Sequence, residues 1–158
     1  MALLKFNTWS GFVQNRLVPA QYYRDPMQLD KYIESSNFLA DINNERILKT
    51  PDYARNIAKL SNFVMYMWED DTTVVPKETA WFDEVNGTEV IPLRARELYR
   101  EDWIGLRALD RKGGLRFRSI PGDHMQLTES VLNETMVDYF GPWKRSFAAD
   151  EGFKSDEL

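Results

Sequence analysis

Phe63-Val64-Met65-Tyr66-Met67-Trp68 runs directly into Glu69-Asp70-Asp71-Thr72-Thr73. The first six residues form an unbroken apolar run rich in strand formers, which predicts a β-strand. Because the run does not alternate with polar residues, it fits a strand covered on both faces, as in a parallel sheet flanked by helices. The acidic segment is then the loop at the strand's C-terminal end, where open α/β sheets present functional groups. These eleven residues place the chain in the α/β class.

Upstream, the spacing predicts a helix over 51–62. Pro51 takes an N1-like position after Thr50 as N-cap, with Tyr53, Ile57 and Leu60 on one face and Arg55 and Lys59 opposite. Residues 1–50 read as helices and loops. Phe12, Val13, Leu17 and Val18 recur at helical spacing until Pro19 stops the pattern. Tyr22-Tyr23-Arg24-Asp25-Pro26 is a turn entry, Asp30 to Glu34 a short helix, and Phe38 to Ile42 an apolar stripe.

Downstream, 76–112 reads as loop-rich, anchored by Trp81-Phe82, Ile91-Pro92-Leu93, Leu98-Tyr99 and Trp103-Ile104-Gly105-Leu106. Arg111-Lys112-Gly113-Gly114 turns into Leu115-Arg116-Phe117-Arg118-Ser119-Ile120, whose alternation predicts a half-buried strand. Pro121-Gly122-Asp123 breaks it. A last helix follows, capped by Thr128, with Val131, Leu132, Thr135, Met136, Tyr139 and Phe140 on one face and a stop at Gly141-Pro142. Residues 143–158 carry no sustained pattern and read as a mobile tail.

His124 is the only histidine of the chain and lies on the loop after the second strand. Exposure between rigid flanks is what a general base needs. Taken alone, a single histidine is more often an ordinary loop or core residue. Asp71 follows the first strand, however, and acid before histidine, each after a strand, matches the tail of the Ser-Asp-His order of α/β-hydrolases. A cation site built from Asp70, Asp71 and Asp123 is a competing reading, but the ligand spacing and central glycine of a calcium loop are missing. A solvated acidic turn is the plain one.

With 158 residues and 43% hydrophobic content, the chain holds one domain with a core. A net charge of −5 and no basic run disfavour nucleic-acid binding. No apolar run approaches the roughly 20 residues that span a bilayer, and Lys5 interrupts Met1-Ala2-Leu3-Leu4 before any signal-peptide core develops. The lack of cysteine removes disulfides and thiolate chemistry, and no cofactor is expected. Asn86-Gly87-Thr88 and Asn133-Glu134-Thr135 are glycan acceptors in a secreted protein. Ser155-Asp156-Glu157-Leu158 is close to a retrieval tetrapeptide, most simply by coincidence.

Several stretches together resemble the C-terminal half of the palmitoyl-protein thioesterases, from about Thr8 to Pro142. They are Gln14-Asn15-Arg16-Leu17-Val18 with Tyr22-Tyr23-Arg24-Asp25-Pro26, Ser36-Asn37-Phe38-Leu39-Ala40-Asp41-Ile42-Asn43-Asn44-Glu45-Arg46, Phe63-Val64-Met65, Trp81-Phe82 and Gly122-Asp123-His124-Met125-Gln126-Leu127. The resemblance implies the C-terminal portion of an α/β-hydrolase fold with an incomplete sheet. Residues before about Pro51 would belong to a helical insertion beside the substrate groove. It implies that 1–142 is the C-terminal part of one catalytic domain, and hydrolysis of the thioester joining palmitate or another long acyl chain to cysteine of S-acylated proteins. The location implied is the lysosome or secretory route. By the same resemblance Asp71 is the triad acid and His124 the triad base. Phe12, Leu17, Tyr22 and Phe38 are candidates for the acyl groove, though side chains of this kind more often belong to the core. No Gly-x-Ser-x-Gly elbow can be drawn in this chain. The isolated polypeptide is therefore expected to be inactive, and a non-catalytic homologue that binds acyl chains or partner proteins is the alternative.

Overall fold

The computed structural model describes residues 8–141. The expected tail, 143–158, and the retrieval-like tetrapeptide lie outside the described residues. The chain divides into two units, Met1–Gln126 and Leu127–Leu158.

The first unit begins with short helical turns: α1 (Gly11–Arg16), α2 (Val18–Gln21), α3 (Leu29–Ser35) and α4 (Leu39–Ile42). Pro19 does not end a single helix, as its sequence position suggests. The chain breaks at extended Leu17, and proline's fixed φ then helps to start α2. Gln14, not the apolar stripe, fills the space between these turns. It is fully buried and donates from Nε2 to the carbonyls of Thr8 and Ala20 at 2.8 and 2.9 Å. Phe12, Leu17, Val18 and Tyr22 face outward, so they are not core within the described residues.

The segment Asn44-Glu45-Arg46 ties this region to the rest of the unit. Asn44, at φ 55°, accepts from the Thr50 amide at 2.8 Å and donates to the Trp103 carbonyl at 2.7 Å. Arg46 donates to the carbonyls of Ile33 and Ser36, at 2.5 and 2.7 Å. Arg24 joins the half-buried Glu84 to the buried Glu45, with Arg96 alongside, at the rim of a cavity of about 350 Å³. Paired in this way, the charges offset one another's desolvation.

Next come α5 (Pro51–Ala58) and β1 (Phe63–Trp68), followed by a hairpin of β2 (Glu84–Asn86) and β3 (Glu89–Ile91). Then come α6 (Glu97–Arg100), α7 (Leu106–Arg111) and β4 (Leu115–Ile120). The strands β1 and β4 have the expected bounds and pair in parallel, Phe63 with Leu115 through Trp68 with Ile120. The hairpin, α6 and α7 lie in the stretch that reads as loop. Their elements are three to six residues long, too short to develop a readable period.

Met65, Leu93, Leu98, Ile104, Leu106 and Leu115 form the core, flanked by Tyr53, Ile57, Phe63, Trp81 and Phe117. The indole of Trp81 donates to the Met65 carbonyl at 3.2 Å and meets the Phe117 ring edge-on. At Gly105, φ is +88° and an added Cβ would sit 2.2 Å from the Ala54 carbonyl oxygen. Glycine there lets α7 begin against α5. Burial of β1 is less complete than its sequence predicts. Only Met65 and Trp68 are buried, and the other four residues are half-buried. Two strands and these short helices do not cover both faces.

In the second unit, α8 (Glu129–Thr135) is capped by the Thr128 hydroxyl, which accepts from the Val131 amide, and continues into a π-helical turn, Met136–Phe140. Leu132, Met136 and Phe140 of its expected apolar face are exposed.

Candidate active site

Parallel pairing of β1 with β4 brings the two loops after these strands to the same edge of the sheet. Backbone pairing continues past both strand ends, with the Glu69 amide donating to the Ile120 carbonyl at 2.8 Å and the Asp70 amide to that of Gly122 at 3.0 Å. Lys77 bonds the Glu69 carbonyl, and the Ser119 hydroxyl donates to the Glu69 carboxylate at 2.7 Å. The loops therefore diverge only after position 70 on one side and 122 on the other.

At that point Asp71 and His124 meet. Asp71 Oδ2 lies 2.8 Å from His124 Nδ1. The other carboxylate oxygen, Oδ1, accepts from the Thr73 and Val74 amides, both at 2.8 Å. The Asp71 side chain is 5% exposed and that of His124 36%, so a shielded acid faces an accessible base. Burial pushes the Asp71 carboxyl up, but the hydrogen bonds from His124 and from the Val74 and Thr73 amides outweigh it and hold it below its ordinary value. An ionised carboxylate there favours the tautomer with its proton on Nδ1, which leaves Nε2 as the basic atom.

The histidine loop is shaped by Gly122 at φ +109° and Met125 at φ 56°. A Cβ on Gly122 would come within 2.5 Å of the Gln126 side-chain oxygen, which instead accepts from the Asp123 amide at 3.1 Å. The Trp68 indole donates to the Gln126 carbonyl at 3.4 Å, and its ring lies 6.4 Å from the imidazole, tilted by 55°. Asp123 bonds the acid loop at Thr72.

Of the three carboxylates weighed as a cation site, Asp71 and Asp123 are therefore engaged separately. No group of three or more histidine, aspartate or glutamate side chains among the described residues is arranged to hold a metal ion. The roles of Thr72, Gln126 and Trp68 were not readable from sequence. A threonine in an acidic turn carries no signal until the loop opposite is known.

A family model described as palmitoyl protein thioesterase matches residues 1–124. Palmitoyl-protein thioesterase 1 of Caenorhabditis elegans is 40% identical over 142 residues, covering 87% of this chain and 47% of that protein. Palmitoyl-protein thioesterase 3 of Dictyostelium discoideum is 39% identical over 138 residues, covering 85% and 45%. Lysosomal thioesterase PPT2-B of Xenopus laevis is 33% identical over 103 residues, covering 64% and 36%. The chain spans about half the length of the curated relatives it matches most fully. With the match running through both strands to His124, the chain belongs to the palmitoyl-protein thioesterase family of α/β-hydrolases.

Proposed function

We propose that the chain is the acid–base half of an enzyme that hydrolyses the thioester between a long fatty acyl group, palmitate above all, and cysteine of S-acylated proteins. The single observation that carries this reading is the 2.8 Å pair of Asp71 and His124 at the adjoining ends of parallel strands. His124 takes the proton of a serine hydroxyl as its oxygen attacks the thioester carbonyl. The C–S bond breaks, and His124 returns the proton to the leaving thiolate. Water then attacks the acyl-enzyme by the same route, releasing fatty acid and free serine. Asp71 stays ionised, orients the imidazole and stabilises its cationic form.

The nucleophile and oxyanion donors come, in this proposal, from polypeptide outside these 158 residues. Ser10, Ser35, Ser36, Ser61, Ser119, Ser130, Ser146 and Ser155 all lack the glycine-flanked turn a nucleophile requires. Residues 1–142 belong with that part in one catalytic domain. The outward-facing Phe12, Leu17 and Tyr22, with Phe38 against Tyr22, are suited to line an acyl groove. Each buried methylene of a ligand there is worth roughly 0.8 kcal/mol.

The 158-residue chain alone is expected to release no thiol from a palmitoyl thioester and to take no label from a fluorophosphonate probe. The complete polypeptide is expected to do both. Labelling of the short chain would overturn the assignment of the nucleophile.

Relatives named as lysosomal thioesterases support a lysosomal or secretory location. No helix of the described residues is long and apolar enough to cross a membrane. Asn86 lies at the exposed tip of the β2–β3 hairpin, where Asn86 pairs with Glu89 across Gly87-Thr88. A glycan is expected at Asn86. Endoglycosidase treatment of protein expressed through the secretory route should remove mass from wild type, and in Asn86→Gln that shift should shrink by the mass of one glycan.

A further inference from the structure

We infer that Asp123 is a positioning residue, whose carboxylate ties the acid loop to the backbone of His124 and so fixes the imidazole against Asp71. The inference rests on the reading of Asp71 and His124 as the acid–base pair and deepens it.

Backbone pairing of the two loops ends with the Asp70 amide on the Gly122 carbonyl. The Asp71 amide turns back to the Trp68 carbonyl at 3.4 Å, so no further backbone rung forms across the gap. The Asp123 side chain supplies one. Its Oδ1 accepts from the Thr72 amide at 3.1 Å and the Thr72 hydroxyl at 3.2 Å, and also from the His124 amide at 2.7 Å. A single oxygen thus joins the residue after the acid to the amide of the base.

Two cross-loop contacts result, Asp71 with His124 and Thr72 with Asp123. Each residue of one contact is the chain neighbour of a residue in the other. With the Asp71 carboxylate already fixed by the Thr73 and Val74 amides, the Asp123 contact limits the remaining freedom, which is movement of the histidine loop. The turn around Asp123 is itself held, since its amide donates to Gln126 Oε1 and its carbonyl accepts from the Gln126 amide at 3.0 Å. The amides of His124 and Thr72 hold the Asp123 carboxyl below its ordinary value, which keeps it an acceptor.

The contacts of the Asp123 carboxylate are to backbone amides and to the Thr72 hydroxyl, none to the ring. Asp123 therefore acts through His124, and what it needs is an acceptor oxygen rather than a charge. Asparagine can supply that oxygen and alanine cannot.

The test is made in the complete polypeptide with labelled histidine, the His124 signals being assigned by their loss in His124→Gln. Asp123→Ala is expected to lower kcat about 10- to 100-fold with KM unchanged, a size typical of small misplacements of a reacting group. It should also weaken or broaden the signal of the proton on Nδ1. Asp123→Asn is expected to stay within about threefold of wild type and to keep that signal. Thr72→Val, which removes only the hydroxyl contact, should fall between, with Thr72→Ser restoring wild-type behaviour. If Asn is as damaging as Ala, the residue acts by charge and the inference fails. An unchanged Nδ1 signal in Asp123→Ala overturns it as well, as does a rise in KM alone. The spectroscopic readout stands apart from turnover. A complete enzyme that keeps its activity in His124→Ala would refute the catalytic reading while leaving the tie between the loops measurable.

Discussion

Replacing His124 by alanine in the complete enzyme is expected to lower kcat by about four to six powers of ten with little change in KM. Losses of that order follow removal of the base in serine hydrolases, where what survives comes from binding and oxyanion stabilisation. Asp71→Asn should cost about 10⁴. The amide can donate to Nδ1 across the same short gap, which traps the imidazole with its proton on Nε2 and no basic atom toward the serine. The double variant should be little worse than His124→Ala, because the two act as one unit. The pH dependence follows from the direction of the Asp71 shift. A carboxyl held below its ordinary value in the folded protein contributes stability above the unfolded value and loses it as pH falls through the folded one. The pair should therefore stay formed at mildly acid pH and fail only below the ordinary aspartate range. A pH–rate profile and a pH–stability profile of wild type and Asp71→Asn check this. A stability difference between the two that stays unchanged as pH falls below about 4 would contradict it.

The candidate site was legible because its two residues announce themselves locally. Phe63–Trp68 and Leu115–Ile120 are long enough for a pattern, apolar throughout in one and alternating in the other, and each ends in an abrupt change of residue type. Parallel pairing then needs no further information to bring the loop acid and the loop histidine together. Asp123 could be read only as a third acid, because its partner Thr72 lies on the other loop and is 51 residues away.

The helical region reads less well for a related reason. Burial there mixes polar and apolar groups, with Gln14, Asn44 and Glu45 inside beside Ala20, Tyr32 and Ala40, while Phe12 and Val18 lie outside. A helical stripe of Phe12, Val13, Leu17 and Val18 predicts the reverse. The stripe is broken where Leu17 turns extended, and its two halves belong to different turns. The stretch from Ser36 to Arg46 is one of those that carry the resemblance to the family. Its structural role is mechanical, with Asn44 bonding Thr50 and Trp103 and Glu45 bonding Arg24. Conspicuous sequence and chemistry are different signals here.

The 158-residue chain expressed by itself is expected to be largely insoluble or partly molten, and to become soluble when co-expressed with the polypeptide that carries the nucleophile. Among the described residues β1 pairs only with β4, which leaves its other edge without a strand partner. Phe63-Val64-Met65-Tyr66-Met67-Trp68 has no charge and no proline and consists largely of strong strand formers, the composition of segments that add further strands. Natural edge strands carry lysine, proline or a bulge against such pairing, and β1 has none of these. Its partial burial has the same origin, since a strand with this sequence expects cover on both faces and neighbours on both sides. Phe12 at 71%, Val18 at 64% and Phe140 at 71% exposure add apolar surface that an isolated domain does not usually leave open. A soluble fraction near zero for the single chain, rising severalfold on co-expression, is the expected result, with strong binding of an apolar dye by whatever remains in solution alone. A sharp, cooperative thermal transition and dispersed amide resonances for the purified monomer would show instead that the chain is self-sufficient. That outcome would favour a non-catalytic protein that binds acyl chains through its exposed aromatic and aliphatic side chains.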